Sequence, residues 1–557
     1  MHPDTPAAPP GLDPALLDAL RRDLRAAEYT VEAAEALYGE MASEALRREN
    51  PIPARRRLRG LTTPLATLLS VFTLGAAAPH SRLAAALPTL GVAGAVSLGV
   101  LAVVPAADPA PGEDLAAGDP VDDPDPLLRA TIDLSPYAAR DDAGEIAWWI
   151  ASDLSELATG NTLHPEHVLG VGGASLTLAR LTPRERVGRV LDLGCGGGIQ
   201  ALHAARHAEH VVATDLSERA LAFAAFNAAL NGLEIELRQG SLLEPVAGET
   251  FDLVISNPPF VITPRRAEDP EGTKHSGGWT YRDGGRTGDT LLAELLAQLP
   301  AHLAPGGRAV MLGNWEIAAG ALGNDGAADA DVDPEADAPA WAAHPRAWLE
   351  PAREAGVDAW VIQREREDPA RYAETWARDG GVTERDAAWT ELQEAWLEDF
   401  AARDVAGIGF GYLLLQRPAE TTRPAVLRTE EVTGTGTGTL ATHLWEGMGM
   451  IQALASWDDE ALEAARPVRA ADVVERRHLT PGEVDPMLIE LVQGAGFARS
   501  VPADQVLAAT VGALDGTLTL GQVVGAVCAL TGDDTESARQ RVNGRLRELM
   551  ITGMVHR

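Results

Sequence analysis

Two short stretches hold residue types that could do chemistry. The first is Val190-Leu-Asp-Leu-Gly-Cys-Gly-Gly-Gly198, an apolar run that reaches Asp192 and then turns on Gly194, Gly196 and Gly198. Glycine is needed where backbone must approach a ligand closely or take a positive φ. A second apolar run ends at Asp215, within VVATDLSERAL. An acid about twenty residues beyond such a loop can accept both hydroxyls of a ribose. The other stretch is Phe251-Asp-Leu-Val-Ile-Ser-Asn-Pro-Pro-Phe260. Here a strand-like run delivers the amide of Asn257 to a turn that Pro258 and Pro259 make rigid, each with fixed φ and no N–H. Phe260 follows with a flat apolar face suited to stacking.

The form D-x-G-x-G-x-G, with its acid before the first glycine, resembles motif I of class I S-adenosylmethionine-dependent methyltransferases. That resemblance implies S-adenosyl-L-methionine as cofactor. Asp192 would organise its methionyl end, Gly194, Gly196 and Gly198 its amino-acid part and ribose, and Asp215 the ribose hydroxyls. Leu216, Ser241, Leu242 and Asn257 would complete the cofactor site. The Asn257–Phe260 turn resembles the (N/D)PP(Y/F/W) motif of methyltransferases acting on planar nitrogens. These include N6-adenine methylases, RsmC-type guanine-N2 rRNA methylases and HemK-type release-factor glutamine methylases. The lone pair of an exocyclic amine or amide nitrogen is delocalised, so it is a poor nucleophile. Accepting its hydrogens on the Asn257 side-chain oxygen and the Pro258 carbonyl aims that lone pair at the sulfonium methyl, which is catalysis by positioning and electrostatics.

Two departures bear on the methyl acceptor. Related enzymes often carry Gly-Asp after the third strand, where this chain has Gly240-Ser241; Ser241 can still hydrogen-bond adenine. HemK-type enzymes usually have Tyr after the two prolines, whereas Phe260 suits the rRNA-guanine and tRNA-adenine branches. Against that, Tyr281-Arg-Asp-Gly-Gly-Arg-Thr-Gly-Asp289 resembles the D-G-G-x-x-G region of the HemK group. The first expectation is therefore an RNA base in rRNA or tRNA. The alternative is glutamine-N5 methylation of a release factor or other protein, and a third reading is a cofactor-binding scaffold without turnover.

These motifs need strands to present them. Candidate strands at Arg189–Leu193, His210–Thr214, Glu234–Arg238, Phe251–Ser256, Arg308–Leu312, Ala359–Gln363 and Ile408–Leu415 alternate at first with helical stretches and Gly/Pro/Asp turns. That is the sequence form of a doubly wound α/β sheet, and the resemblance makes it a class I methyltransferase Rossmann-like sheet. A loose terminus at 1–14 is expected to precede a mostly helical unit at 15–125, of which a winged-helix-like form is one version. The methyltransferase unit takes 126–418 (core 160–418), with a disordered acidic insertion at 320–340. A small C-terminal α(+β) unit at 419–557 is expected to end in helices at Leu520–Leu530 and Thr535–Met550 and a short strand, a pattern that fits a winged helix and equally a small helical bundle. The repeat Thr433–Thr439 reads as a flexible linker or a thin β-ribbon.

Composition sets outer limits. Across 557 residues, 46 Lys+Arg face 81 Asp+Glu, a net charge of −35 that excludes loose binding to polyanions. Much of it falls in 108–125 and 325–337, outside the proposed chemistry. Arg47, Arg48, Arg55, Arg56, Arg57 and Arg59 reverse the sign locally and read either as an RNA-contact patch or as a solvated face. Arg265, Arg266, Lys274, His275, Arg282 and Arg286 follow the Asn-Pro-Pro-Phe turn and are candidates for the substrate mouth. Arg539, Arg541, Arg545 and Arg547 scatter around the last helix. The two cysteines, Cys195 and Cys528, exclude a disulfide framework or a Cys-rich zinc site. The histidine pairs His164/His167 and His207/His210 lack a third ligand, so no metal is expected. Trp148 and Trp149 read as packing. The uncharged stretch 83–107 is long enough to span a bilayer, but 61–104 is read as short buried helices closing on a strand at Val100–Val104, and a membrane span is disfavoured. With no secretory signal visible, a cytoplasmic location is expected.

Overall fold

The computed structural model describes residues 7–104, 125–141, 143–159, 164, 166–264, 286–324, 339–420 and 423–557. At its centre lies an eight-stranded sheet. Its strands are β1 (Val187–Leu193), β2 (Ala208–Asp215), β3 (Glu236–Gln239), β4 (Phe251–Ser256), β5 (Leu303–Ala318), β6 (Asp358–Glu367), β7 (Val405–Gln416) and β8 (Leu427–Glu431). Their order is β3-β2-β1-β4-β5-β7-β6-β8. Strands β1 to β5 run parallel, β7 is antiparallel to both β5 and β6, and β8 is parallel to β6. This is the class I methyltransferase fold. Strands β1 and β4 read as near-continuous apolar runs because helices cover both faces of a parallel sheet; Val190, Leu191, Leu253, Val254 and Ile255 are all buried.

All seven expected strands are present, several of them longer than the sequence suggested. The eighth was missed: the sheet does not end near Pro418 but continues through Leu427–Glu431. Its alternation is disguised, since Arg428 and Glu430 occupy its inner positions as partners of Glu548 and Arg499.

Five helices position the site: α1 (Ile199–Ala204), α2 (Glu218–Asn231), α3 (Thr290–Gln298), α4 (Pro369–Asp379) and α5 (Ala388–Ala402). The first helix starts from Gly198 in the left-handed region, and α2 is capped by the Ser217 hydroxyl accepting the Ala220 N–H. The last two lie between β6 and β7 and pack on each other through Tyr372, Trp396 and Phe400.

The N-terminal part is mainly helical from Pro14 onward, with a three-stranded sheet of Ala78–Pro79, Leu127–Ala130 and Leu101–Val103. Short helices at His80–Ala86 and Gly91–Ser97 account for the uncharged stretch as far as 104. No helix among the described residues is long and apolar enough to cross a membrane. A β-hairpin, Asp133–Asp141 with Gly144–Ser152, follows and was not foreseen. The acidic stretches 108–124 and 325–337 lie outside the described residues.

After β8, Thr433–Thr439 is neither a flexible linker nor a β-ribbon. It lies extended against 494–498, with Gly436 N–H donating to the Gly496 carbonyl and Thr437 N–H to the Gly494 carbonyl. A Cβ at Gly434 would strike the Phe497 carbonyl, and one at Gly436 the backbone of Ala495. Close backbone contact thus explains Gly434 and Gly436, whereas Gly438 is needed for its φ of 85°. The C-terminal part contains helices at Leu440–Leu454, Gln505–Gly512, Leu520–Thr531 and Thr535–Ile551, and an unforeseen antiparallel sheet of Val473–His478, Leu488–Gln493 and Ser500–Ala503.

Candidate active site

The glycine loop joins β1 to α1. Asp192 is buried, and its Oδ2 accepts the Ala201 N–H at 2.8 Å. Burial pushes its carboxyl up to about 7; the charge of Asp215 adds to this and the Ala201 N–H opposes it. Gly194, Gly196 and Gly198 all have positive φ, at 70°, 53° and 83°. The N–H groups of Gly194 and Cys195 both donate to the Thr214 carbonyl at the end of β2. A Cβ on Gly194 or Gly196 would point into open space, so these two leave a concave floor. On Gly198 it would stand 3.0 Å from the Ala224 Cβ, so this glycine serves the contact of the loop with α2.

Asp215 closes the other side of the floor. Its two carboxylate oxygens accept the N–H groups of Gly196 and Ser217, both at 2.8 Å, and burial raises its carboxyl too. Leu216 beside it is exposed. Ser241 and Leu242 follow β3; the Ser241 carbonyl accepts the Glu244 N–H, and Leu242 sits at a φ of 46°. An open glycine floor between a buried and a half-buried carboxylate, with an exposed leucine at its rim, fits S-adenosylmethionine: anions for its ammonium and ribose, backbone where it must lie close.

Strand β4 delivers the second motif next to the first. Ser256 donates its hydroxyl to the Leu193 carbonyl at 2.8 Å, fastening the ends of β4 and β1. One residue on, the Asn257 side-chain oxygen is buried without a hydrogen-bond partner. A buried oxygen left unpaired costs about 1–3 kcal/mol, so its retention calls for a reason. Pro258 is buried, and Pro259 and Phe260 are half-buried. The backbone beyond them is held on both sides: the Ile262 N–H donates to the Tyr372 hydroxyl at 2.8 Å, and Trp396 Nε1 donates to the Ile262 carbonyl at 2.7 Å. A pocket here is lined by Pro259, Phe260, Gly288, Leu292 and Asn314 among others.

Several supporting residues escaped the sequence reading. Asn227 on α2 donates to the Gly197 and Ala151 carbonyls and accepts the Ala151 N–H, tying the glycine loop to the hairpin. Its signal was a poor helix former within AFAAFNAAL. Beneath the pocket, Glu316 is buried against Arg403, while Asp289 accepts the Glu316 N–H and pairs with His344. Burial still holds the Glu316 carboxyl above its usual range despite Arg403.

The weaker signals have other employment. Arg47 pairs with Glu35 and Glu44, Arg48 with Glu44, and Arg55 and Arg57 donate to the Leu74 and Leu37 carbonyls; Arg56 and Arg59 lie exposed. Arg539, Arg541 and Arg547 lie against Glu463, Asp504 and Asp459, and Arg545 donates to the Pro502 carbonyl. Arg286 pairs with Glu294. Arg265, Arg266, Lys274, His275, Arg282 and Asp283 lie outside the described residues. Among the described residues no group of three His, Cys, Asp or Glu side chains is placed to hold a metal ion. Cys195 is buried, and that burial pushes its thiol well up. Trp148 stacks on Tyr137.

The sheet order, with the glycine loop after β1 and the Asn257 turn after β4, is that of the class I methyltransferase fold. Residues 170–269 match the family model described as methyltransferase small domain, and residues 26–110 match a domain of unknown function (DUF7059). A release factor glutamine methyltransferase of Deinococcus radiodurans is 43% identical over 122 residues, 21% of this chain and 43% of that protein. A ribosomal RNA small subunit methyltransferase C of Alcanivorax borkumensis is 30% identical over 130 residues, 23% of this chain and 33% of its own. The chain thus spans less than half the length of either. Among solved structures, the 16S rRNA N2 methyltransferase of T. thermophilus, in complex with AdoMet and guanosine, aligns over 48% of this chain and 62% of its own, at 18% identity and a TM-score of 0.22.

Proposed function

We propose that this protein transfers a methyl group from S-adenosyl-L-methionine to a planar amino or amide nitrogen, first of all an exocyclic amine of an RNA base in the cytoplasm. The observation that carries this reading is the buried, unpartnered side-chain oxygen of Asn257 at the end of β4, next to the open glycine floor. When bound there, the cofactor supplies an electrophilic methyl on a sulfonium. The chain's own part is to hold the acceptor. Asn257 Oδ1 and the Pro258 carbonyl take the two N–H hydrogens and turn the nitrogen lone pair toward the floor, while Phe260 covers the flat face of the acceptor. No strong base is required, because the proton becomes acidic only as the nitrogen acquires positive charge.

The second reading, a glutamine amide in a translation protein, uses the same atoms. It is favoured by the internal pairing of most of the basic residues that an RNA surface would use, and by relatives named release factor and ribosomal protein uL3 glutamine methyltransferases. Labelled cofactor offered with ribosomal RNA, tRNA, release factors and ribosomal proteins separates the readings. Label that survives ribonuclease in the protein fraction overturns the RNA reading. Cofactor binding with no label in any fraction would mean a scaffold without turnover.

A further inference from the structure

A second amide lies at the Asn257 end of the sheet. Strands β4 and β5 run parallel with Ser256 beside Met311, so the residues that follow each of them meet at the same end of the sheet. On β4 these are Asn257 to Phe260, and on β5 they reach Asn314. Asn314 is fully buried, yet it lines the same pocket as Pro259 and Phe260. Its amide nitrogen donates to the Tyr372 hydroxyl at 3.2 Å, and its carbonyl oxygen has no partner. Tyr372 is in turn fixed by the Ile262 N–H, in the segment that leaves Phe260. Two buried side-chain oxygens without donors, Asn257 Oδ1 and Asn314 Oδ1, therefore lie at this same end of the sheet, the second of them on the pocket beside Pro259 and Phe260. The Asn257–Pro258 turn already has two acceptors for the two hydrogens of an amino group.

We infer that Asn314 is a substrate-contacting specificity residue of this site, whose side-chain oxygen accepts a further N–H carried by the ring atom next to the methylated nitrogen, with Tyr372 as its positioning residue. This rests on the planar-nitrogen reading above and narrows it. Among the natural bases, the guanine edge places a ring N–H beside its exocyclic amine. Adenine and cytosine offer a bare ring nitrogen on that edge, and a glutamine amide offers a carbonyl oxygen. An unmatched acceptor facing another acceptor is penalised, so the site selects guanine.

The test uses the full chain with methyl-tritiated S-adenosylmethionine, unmodified 16S and 23S RNA transcripts and tRNA transcripts, and recombinant release factor as a parallel acceptor. Labelled RNA is digested to nucleosides. The expected label is on guanosine, at its N2 position. Asn314→Leu should lower kcat/KM for RNA roughly 10–100-fold, with cofactor affinity within about twofold of wild type. Asn314→Asp, which keeps an acceptor at that place, should recover most of the loss. Tyr372→Phe should raise KM more than it lowers kcat. Label on adenosine, cytidine or protein, or Asn314→Leu indistinguishable from wild type, overturns this inference while leaving methyl transfer standing. So does Asn314→Asp failing as badly as Asn314→Leu when both bind cofactor. Absence of label from every acceptor overturns the planar-nitrogen reading itself.

Discussion

Asn257 and Asp192 carry unlike burdens, and each yields its own experiment. Asn257 keeps an unpaired oxygen where a donor must arrive. Replacing it with Ala removes an interaction that forms fully only as the nitrogen attacks. Single-turnover transfer should fall about 10²–10³-fold with cofactor Kd almost unchanged. Equal loss of binding and transfer would place Asn257 in the cofactor site alone. Asp192 is held up to about 7 by burial. The free protein therefore keeps this proton well above the range of an exposed aspartate, whereas a cationic ammonium beside it favours the carboxylate. Cofactor affinity should strengthen as pH rises from 5.5 to 7.5, approaching tenfold per unit at the acid end, with a proton released on binding. Titration calorimetry in two buffers of different ionisation heat reads that proton directly, and Asp192→Asn should flatten the dependence. In the absence of cofactor the sign reverses: a raised folded-state value gives stability that is complete below the unfolded pKa and is lost as pH rises through 7.

At the scale of elements, the glycine loop is held from outside by Asn227. Its amide makes three hydrogen bonds, one to Gly197 and two to Ala151 of the hairpin. Asn227→Ala strands the Ala151 N–H and two carbonyls in the interior, a cost of about 2–4 kcal/mol by chemical denaturation. It should also weaken cofactor binding, because Gly197 loses its tether. The sequence made the loop readable but not its tether. A D-x-G-x-G-x-G turn after an apolar run is a local pattern, while Asn227 acts across a large sequence separation. The same divide explains the strands. Strand β4 shows itself because both of its faces are apolar. Strand β8 stays hidden because its inner positions are Arg428 and Glu430, neutralised by Glu548 and Arg499 from the distant C-terminal part. No periodicity of hydrophobic residues can report an ion-pair lattice. Ile262 is a further case, its two backbone groups satisfied by Tyr372 and Trp396 from an insertion between β6 and β7.

For the molecule as a whole, the three parts share their cores. Phe223, Phe226 and Leu230 on α2 pack with Leu20, Leu24 and Phe72 of the N-terminal helices. On the other side, one cluster runs from Val190 and Trp360 of the sheet to Leu444, Val524 and Leu546 of the C-terminal part. Trp445 Nε1 donates to the Leu181 carbonyl across this junction at 3.0 Å. Helix Leu440–Leu454 crosses Trp360 at Gly447, where a Cβ would come within 2.8 Å of the indole. The acidic net charge opposes condensation of the parts by self-repulsion, so burial at these junctions has to hold them. Gly447→Val tests that directly. The branched side chain meets the Ile551 carbonyl as well as Trp360 and has to lift the helix from both, which costs about 1–3 kcal/mol of overpacking. Because the core is continuous, the loss should lower one cooperative calorimetric transition. A separate, earlier transition in the wild type, with the sheet unfolding later, would show instead that the C-terminal part folds on its own and that its junction with the sheet contributes little.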